Sequence, residues 1–66
     1  MTAGPLLDRR IRWETTGDPR EPHRVTLDGQ TLLIRLGEFP AEALYTLLID
    51  GEVVAEFDAW PALWVR

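Results

Sequence analysis

The chain reads as a mainly β domain: an antiparallel meander of about five strands, an open sheet or a partly closed barrel, with a short C-terminal helix or 3₁₀ turn. A small α+β fold is the alternative. Three observations lead there. Asp28-Gly29 and Asp50-Gly51 each separate two apolar-rich runs. A type I′ hairpin turn needs positive φ at both central residues, and Asp-Gly meets that demand readily. The flanking runs alternate with the period of a strand, and the connections between them are short, which favours pairing of sequence neighbours.

The elements follow in order. Residues 1–9 contain Gly4 and Pro5 and show no period, so they read as a flexible tail ahead of a single domain over 10–66, with Leu6 and Leu7 able to dock. Ile11, Trp13 and Thr15 alternate with Arg10, Arg12 and Glu14, giving a half-buried strand over 10–16. Gly17 to Pro22 is a loop, because Pro19 and Pro22 bias the residues before them to extended conformations. The first hairpin pairs 23–28 with 30–36. Its apolar face carries His23, Val25, Leu27, Leu32, Ile34 and Leu36, and its polar face sets Thr26 against Thr31 and Arg24 against Leu33.

Residues 37–43 connect the hairpins. Pro40 at a helix start, with Ala41, Leu44, Leu47 and Leu48 at helical spacing, describes a competing helix that Asp50-Gly51 would end. Tyr45, Thr46 and Ile49 favour a strand, and a helix would leave the strand after Gly51 without its mate. The second hairpin therefore pairs 44–50 with 52–57, setting Ile49 opposite Glu52, Leu48 opposite Val53, Leu47 opposite Val54 and Leu44 opposite Phe57. On strict alternation, Leu44, Thr46, Leu48, Val53, Ala55 and Phe57 make the core face. Tyr45, Leu47, Ile49 and Val54, interrupted by Glu52 and Glu56, make a second apolar face that something must cover. Asp58 and Pro61 suit the start of a short terminal helix that would align Trp60 with Trp64 and lie over that second face, joined by Trp13.

Composition narrows the chemistry. Sixty-six residues form one domain near the lower limit for a self-supporting core, and with no cysteine there is neither a disulfide nor a Cys-based zinc site to staple it. The chain also has no Ser, Lys or Asn, which removes the common nucleophiles and the Schiff-base amine. That arginine-only basic usage points to a GC-rich gene, bacterial or phage. No phosphate-binding loop, calcium loop or metal-ligand spacing occurs, so no cofactor and no metal are expected, and the expectation is a protein that is not an enzyme. No signal peptide and no apolar run approaching the ~20 residues of a membrane span is present, so the expected setting is cytoplasmic.

Charge is unevenly placed. Residues 1–24 hold five arginines against four carboxylates, whereas residues 25–66 hold two arginines against seven. An acidic chain repels the phosphate backbone, which disfavours nucleic acid. The Arg9 to Trp13 cluster, basic and aromatic, is the one stretch suited to a small nucleic-acid binder. The acidic second half suits a basic protein surface instead.

The expected job is that of a small non-catalytic protein-binding or accessory module. A sharper variant is an immunity, antitoxin or phage-encoded inhibitor protein that blocks a basic site. Candidate interaction residues are Trp13, Tyr45, Glu52, Val54, Glu56, Asp58, Trp60 and Trp64. Each has an ordinary reading beside it: the tryptophans as lids on the core, the carboxylates as a solvated strand edge. His23, the single histidine, reads as an ordinary strand residue. The two-sided apolar character of 44–57 in so short a chain motivates a homodimer.

Overall fold

A computed structural model describes residues 4–66. One helical turn, α1 (Gly4–Leu7), precedes seven strands: β1 (Ile11–Arg12), β2 (Glu14–Thr15), β3 (His23–Leu27), β4 (Gln30–Leu36), β5 (Tyr45–Ile49), β6 (Glu52–Phe57) and β7 (Trp64–Val65). Strands β2 to β6 form one open antiparallel sheet in sequence order, so the meander is an open sheet and not a barrel. Residues 1–3 of the expected tail lie outside the described residues. Leu6 and Leu7 of α1 pack against the core.

Both Asp-Gly pairs turn as their chemistry demands, with φ of 52° and 78° at Asp28 and Gly29 and of 51° and 87° at Asp50 and Gly51. The first hairpin has the expected register, Thr26 opposite Thr31 and Arg24 opposite Leu33. Residues 45–49 are strand, not helix, and β5 pairs with β4 on one side and β6 on the other. The connector folds as a turn, with the Phe39–Pro40 peptide cis and the Glu42 amide donating to the Glu38 carbonyl at 2.8 Å. At its base Gly37 donates to Leu44 at 3.0 Å, extending the β4–β5 ladder.

The second hairpin departs from strict alternation. Ile49 opposes Glu52 and Leu48 opposes Val53, but a bulge at that point sets Leu47 opposite Ala55, and Tyr45 rather than Leu44 faces Phe57. Val54 is the inserted residue, and everything after it changes face. The expected core face is thereby corrected. The core side is the one carrying Tyr45, Leu47 and Ile49, and the bulge brings Ala55 and Phe57 round to join them. Val53 stays on the outer face, 55% exposed, beside the buried Leu48.

Of the expected C-terminal helix or 3₁₀ turn, the structure forms the turn. Pro61 to Trp64 make a turn, with the Trp64 amide donating to the Pro61 carbonyl at 3.1 Å, and β7 then pairs parallel with β1. β1 offers the segment after the turn its backbone hydrogen-bond partners. The expected strand over 10–16 is accordingly divided at Trp13: β1 joins β7, and β2 joins the main sheet. The Trp13 amide donates to Val65 at 2.7 Å between them. Ile11, Trp13 and Trp64 are thus laid over Leu32, Ile34, Leu47 and Ile49 to make the buried core. The C-terminal segment does cover the Tyr45–Leu47 side, as strand rather than helix. No helix among the described residues is long and apolar enough to cross a membrane.

Candidate functional site

The eight candidate interaction residues fall into two neighbourhoods. Trp13, Tyr45, Trp60 and Trp64 gather over the core side of the sheet; Glu52, Val54, Glu56 and Asp58 lie on or just after β6.

The aromatic neighbourhood is a cap. Trp64 packs against Trp13, Trp60 and Phe57 at ring separations of 4.9, 5.3 and 5.6 Å, and Trp60 also meets Tyr45 at 5.3 Å and His23 at 5.2 Å. The tilted and edge-on geometries are those that aromatic quadrupoles favour. Two indole donors are used inside the cap: Trp60 Nε1 donates to the Trp64 carbonyl at 3.0 Å and Trp64 Nε1 to the Leu6 carbonyl at 2.8 Å. Arg66 lies over the Trp60 ring at 4.6 Å and reaches the Tyr45 hydroxyl at 3.4 Å. Trp13 and Trp64 are buried, and Tyr45 and Trp60 are half-buried.

His23 sits at the rim of this cap, its Nδ1 buried without a hydrogen-bond partner among the described residues. Burial, and secondarily the Arg66 charge, push its pKa below the usual 6.5. The neutral imidazole packs on Trp60. Among the described residues no carboxylate or hydroxyl is bonded to it to make an acid–base pair, and no cluster of three or more His, Asp or Glu is placed to hold a metal.

The second neighbourhood is the β6 edge. Glu52 and Glu56 are exposed and make no ion pair among the described residues, while Val54 is half-buried in the bulge. Asp58 acts locally. Its Oδ1 accepts the Leu44 amide at 3.0 Å, tying the ends of the second hairpin together. The outer face of the sheet also carries a groove of about 490 Å³, whose lining includes Arg35, Glu42, Thr46, Val53 and Glu56. Arg35 is engaged there by Glu21, with its Nε and Nη2 donating to one carboxylate oxygen at 3.2 and 3.1 Å. Sequence reading missed both Val53 and this groove. The bulge hid them, since strict alternation assigns Val53 to the core.

The Arg9 to Trp13 cluster is dispersed. Ile11 and Trp13 point into the core, and Arg9 pairs with Asp28 at 3.1 Å. The chain matches no family model, and comparison with curated proteins and with solved structures finds no similar one.

Proposed function

We propose that the chain is a non-catalytic protein-binding module whose contact surface is the β6 side of the outer sheet face. One observation carries the reading: Val53 is 55% exposed on the outer face beside the exposed and unpaired Glu56, with the unpaired Glu52 next to it on the other side of the strand. An apolar centre with a charged rim is the usual anatomy of a protein contact. The aromatic candidates support the reading differently. Trp13 and Trp64 are committed to the core, so they serve as the platform that braces the sheet beneath its outer face.

Two observations rank the alternatives. The Trp13 ring is buried and Arg9 is paired with Asp28, which leaves the Arg9 to Trp13 segment without an exposed aromatic for base stacking. The apolar face that motivates a homodimer is covered within the chain by Trp13, Trp60 and Trp64. An inhibitor of the immunity or antitoxin type is the sharper form of the proposal, and the unpaired carboxylates favour it over a purely apolar contact.

The test is a photo-reactive residue placed at Val53, with a second at Asp18 in the distant loop, in the full chain expressed in its native host. Cross-linking to one protein from Val53 and not from Asp18 is the expected result. Equal labelling from both, or none from either, overturns the proposal. If the inhibitor form holds, the association rate measured with that protein falls steeply as salt is raised to physiological strength.

A further inference from the structure

We infer that β6 is a strand-docking edge, and that its occupant is a short extended segment of the partner protein bearing arginine or lysine at alternate positions. The inference rests on the reading of the chain as a protein-binding module and supplies the chemistry of the partner.

The sheet is linear and so has two edges. At one, β2 contributes two residues; at the other, β6 contributes six, paired on one side by β5. Among the described residues no backbone hydrogen bond reaches the other side of β6. The register shows which groups are left over. The Asp50 amide donates to Thr31, and Gly37 donates to Leu44, so the even-numbered residues of the β5 segment bond towards β4. Tyr45, Leu47 and Ile49 then bond towards β6, and the β6 residues opposite the intervening positions turn their N–H and C=O groups outward. Those residues are Val53, opposite Leu48, and Glu56, opposite Thr46. The bulge at Val54 spaces them three apart, so the edge accepts a short segment and not a long ladder.

These two residues also carry exposed side chains, both on the outer face. An added strand would gain affinity from the backbone groups of Val53 and Glu56 and specificity from what its side chains meet. Beside them is the groove of about 490 Å³, lined in part by Glu42 and Glu56, with Arg20 and the already neutralised Arg35 as its cations. With Arg35 bonded to Glu21, Glu42 and Glu56 face Arg20 alone, a one-charge excess that a long basic side chain can meet. A second copy of this chain fits poorly. A symmetric β6–β6 pairing brings the exposed carboxylates Glu52 and Glu56 of both chains to one edge, between chains of net charge −4. Carboxylates and a bulge guard the edge against its own kind, and the same carboxylates admit a basic strand.

The experiment uses the ¹⁵N-labelled full chain and two synthetic peptides of equal length with alternating valine and charged positions, one with arginine and one with glutamate. With the arginine peptide, amide exchange at Val53 and Glu56 slows and their resonances shift, while the glutamate peptide leaves both unchanged. The double variant E52K/E56K reverses that preference. Four outcomes overturn the inference: no response to either peptide, shifts centred away from β6, shifts without slowed exchange at those two amides, or slowed exchange without peptide accompanied by a doubled mass. If Val53 cross-links a protein in the host but the peptides fail, the binding-module reading stands and strand docking falls. If neither responds, both fall.

Discussion

The Trp64 indole donates its Nε1 hydrogen to the Leu6 carbonyl at 2.8 Å, fastening the last strand to the first turn across 58 positions of sequence. Trp60 in turn donates to the Trp64 carbonyl at 3.0 Å. The two ends of the chain are therefore clasped by indole hydrogen bonds as well as by the β1–β7 pairing. Trp64→Phe keeps most of the buried ring and loses the bond, which costs about 1 kcal/mol. Trp64→Ala removes the ring and costs ~3–5 kcal/mol. A domain of this size has roughly 3–10 kcal/mol in total, so the alanine variant is expected at the threshold of unfolding. Urea titration followed by circular dichroism ranks the two; equal midpoints would show that the clasp holds nothing.

Deleting Val54 tests the bulge. Without the inserted residue, Ala55 and Phe57 return to the outer face, and Phe57 leaves its contacts with Tyr45 and Trp64 at 5.6 Å each. The expected loss is several kcal/mol, more than Val54→Ala costs, because a face reversal exposes an aromatic ring while truncation removes two methyl groups. Thermal midpoints of the two variants decide the point. A deletion milder than the alanine substitution would mean that the bulge does not set the face of Phe57.

Gly37 and Gly51 are expected to differ in why they resist substitution. Gly51 holds φ of 87° with open space where a Cβ would go, so Gly51→Ala meets only backbone strain, about 1–2 kcal/mol. At Gly37 a Cβ would collide with the Ala43 carbonyl oxygen, and the β4–β5 connection must move to admit it. Gly37→Ala should therefore be the more destabilising, and should perturb the amide resonances of residues 42–45. A wild-type-like spectrum for that variant would contradict the close approach.

Stability should fall on mild acidification. Burial first, then the Arg66 charge, hold the His23 pKa below 6.5 in the fold, so near that pH the unfolded chain takes up a proton that the folded chain resists. The stabilisation is complete above pH 6.5 and is lost as pH falls from there to the lowered folded value, below which no further loss comes from this group. His23→Gln should flatten that part of the profile, and Arg66→Ala should shallow it. Chemical denaturation at closely spaced pH values provides the measurement; a profile unchanged by His23→Gln would assign the slope to other groups.

Sizing with light scattering, at micromolar concentration and without partner, should return a mass of 7.5 kDa, since the most apolar face of the second hairpin is already covered by Trp13, Trp60 and Trp64. A mass twice that would place a second copy on the outer face or the β6 edge.

Local chemistry was legible in the sequence. Asp-Gly pairs require positive φ whatever surrounds them, and the alternation of Val25, Leu27, Leu32 and Ile34 is a property of the strand itself, so both turns and the first register could be read directly. The same holds for the choice of strand over helix at Tyr45–Ile49, where residue type and the need for a hairpin mate agree. Of the candidate site residues, Glu52 and Glu56 read as exposed edge carboxylates from the pattern alone. Three things were decided only by the tertiary structure. The bulge at Val54 depends on which face of the sheet has a partner to bury, and it moved Phe57 inward and left Val53 outside. The division of 10–16 at Trp13 and the formation of β7 depend on each other, because neither two-residue strand is stable until the other supplies its hydrogen bonds. The groove beside Glu56 exists only because the 37–43 connector folds back beside the outer face. Each of these turns on a contact between residues far apart in sequence, and such contacts leave no trace in local spacing because their free energy appears only when the chain has closed.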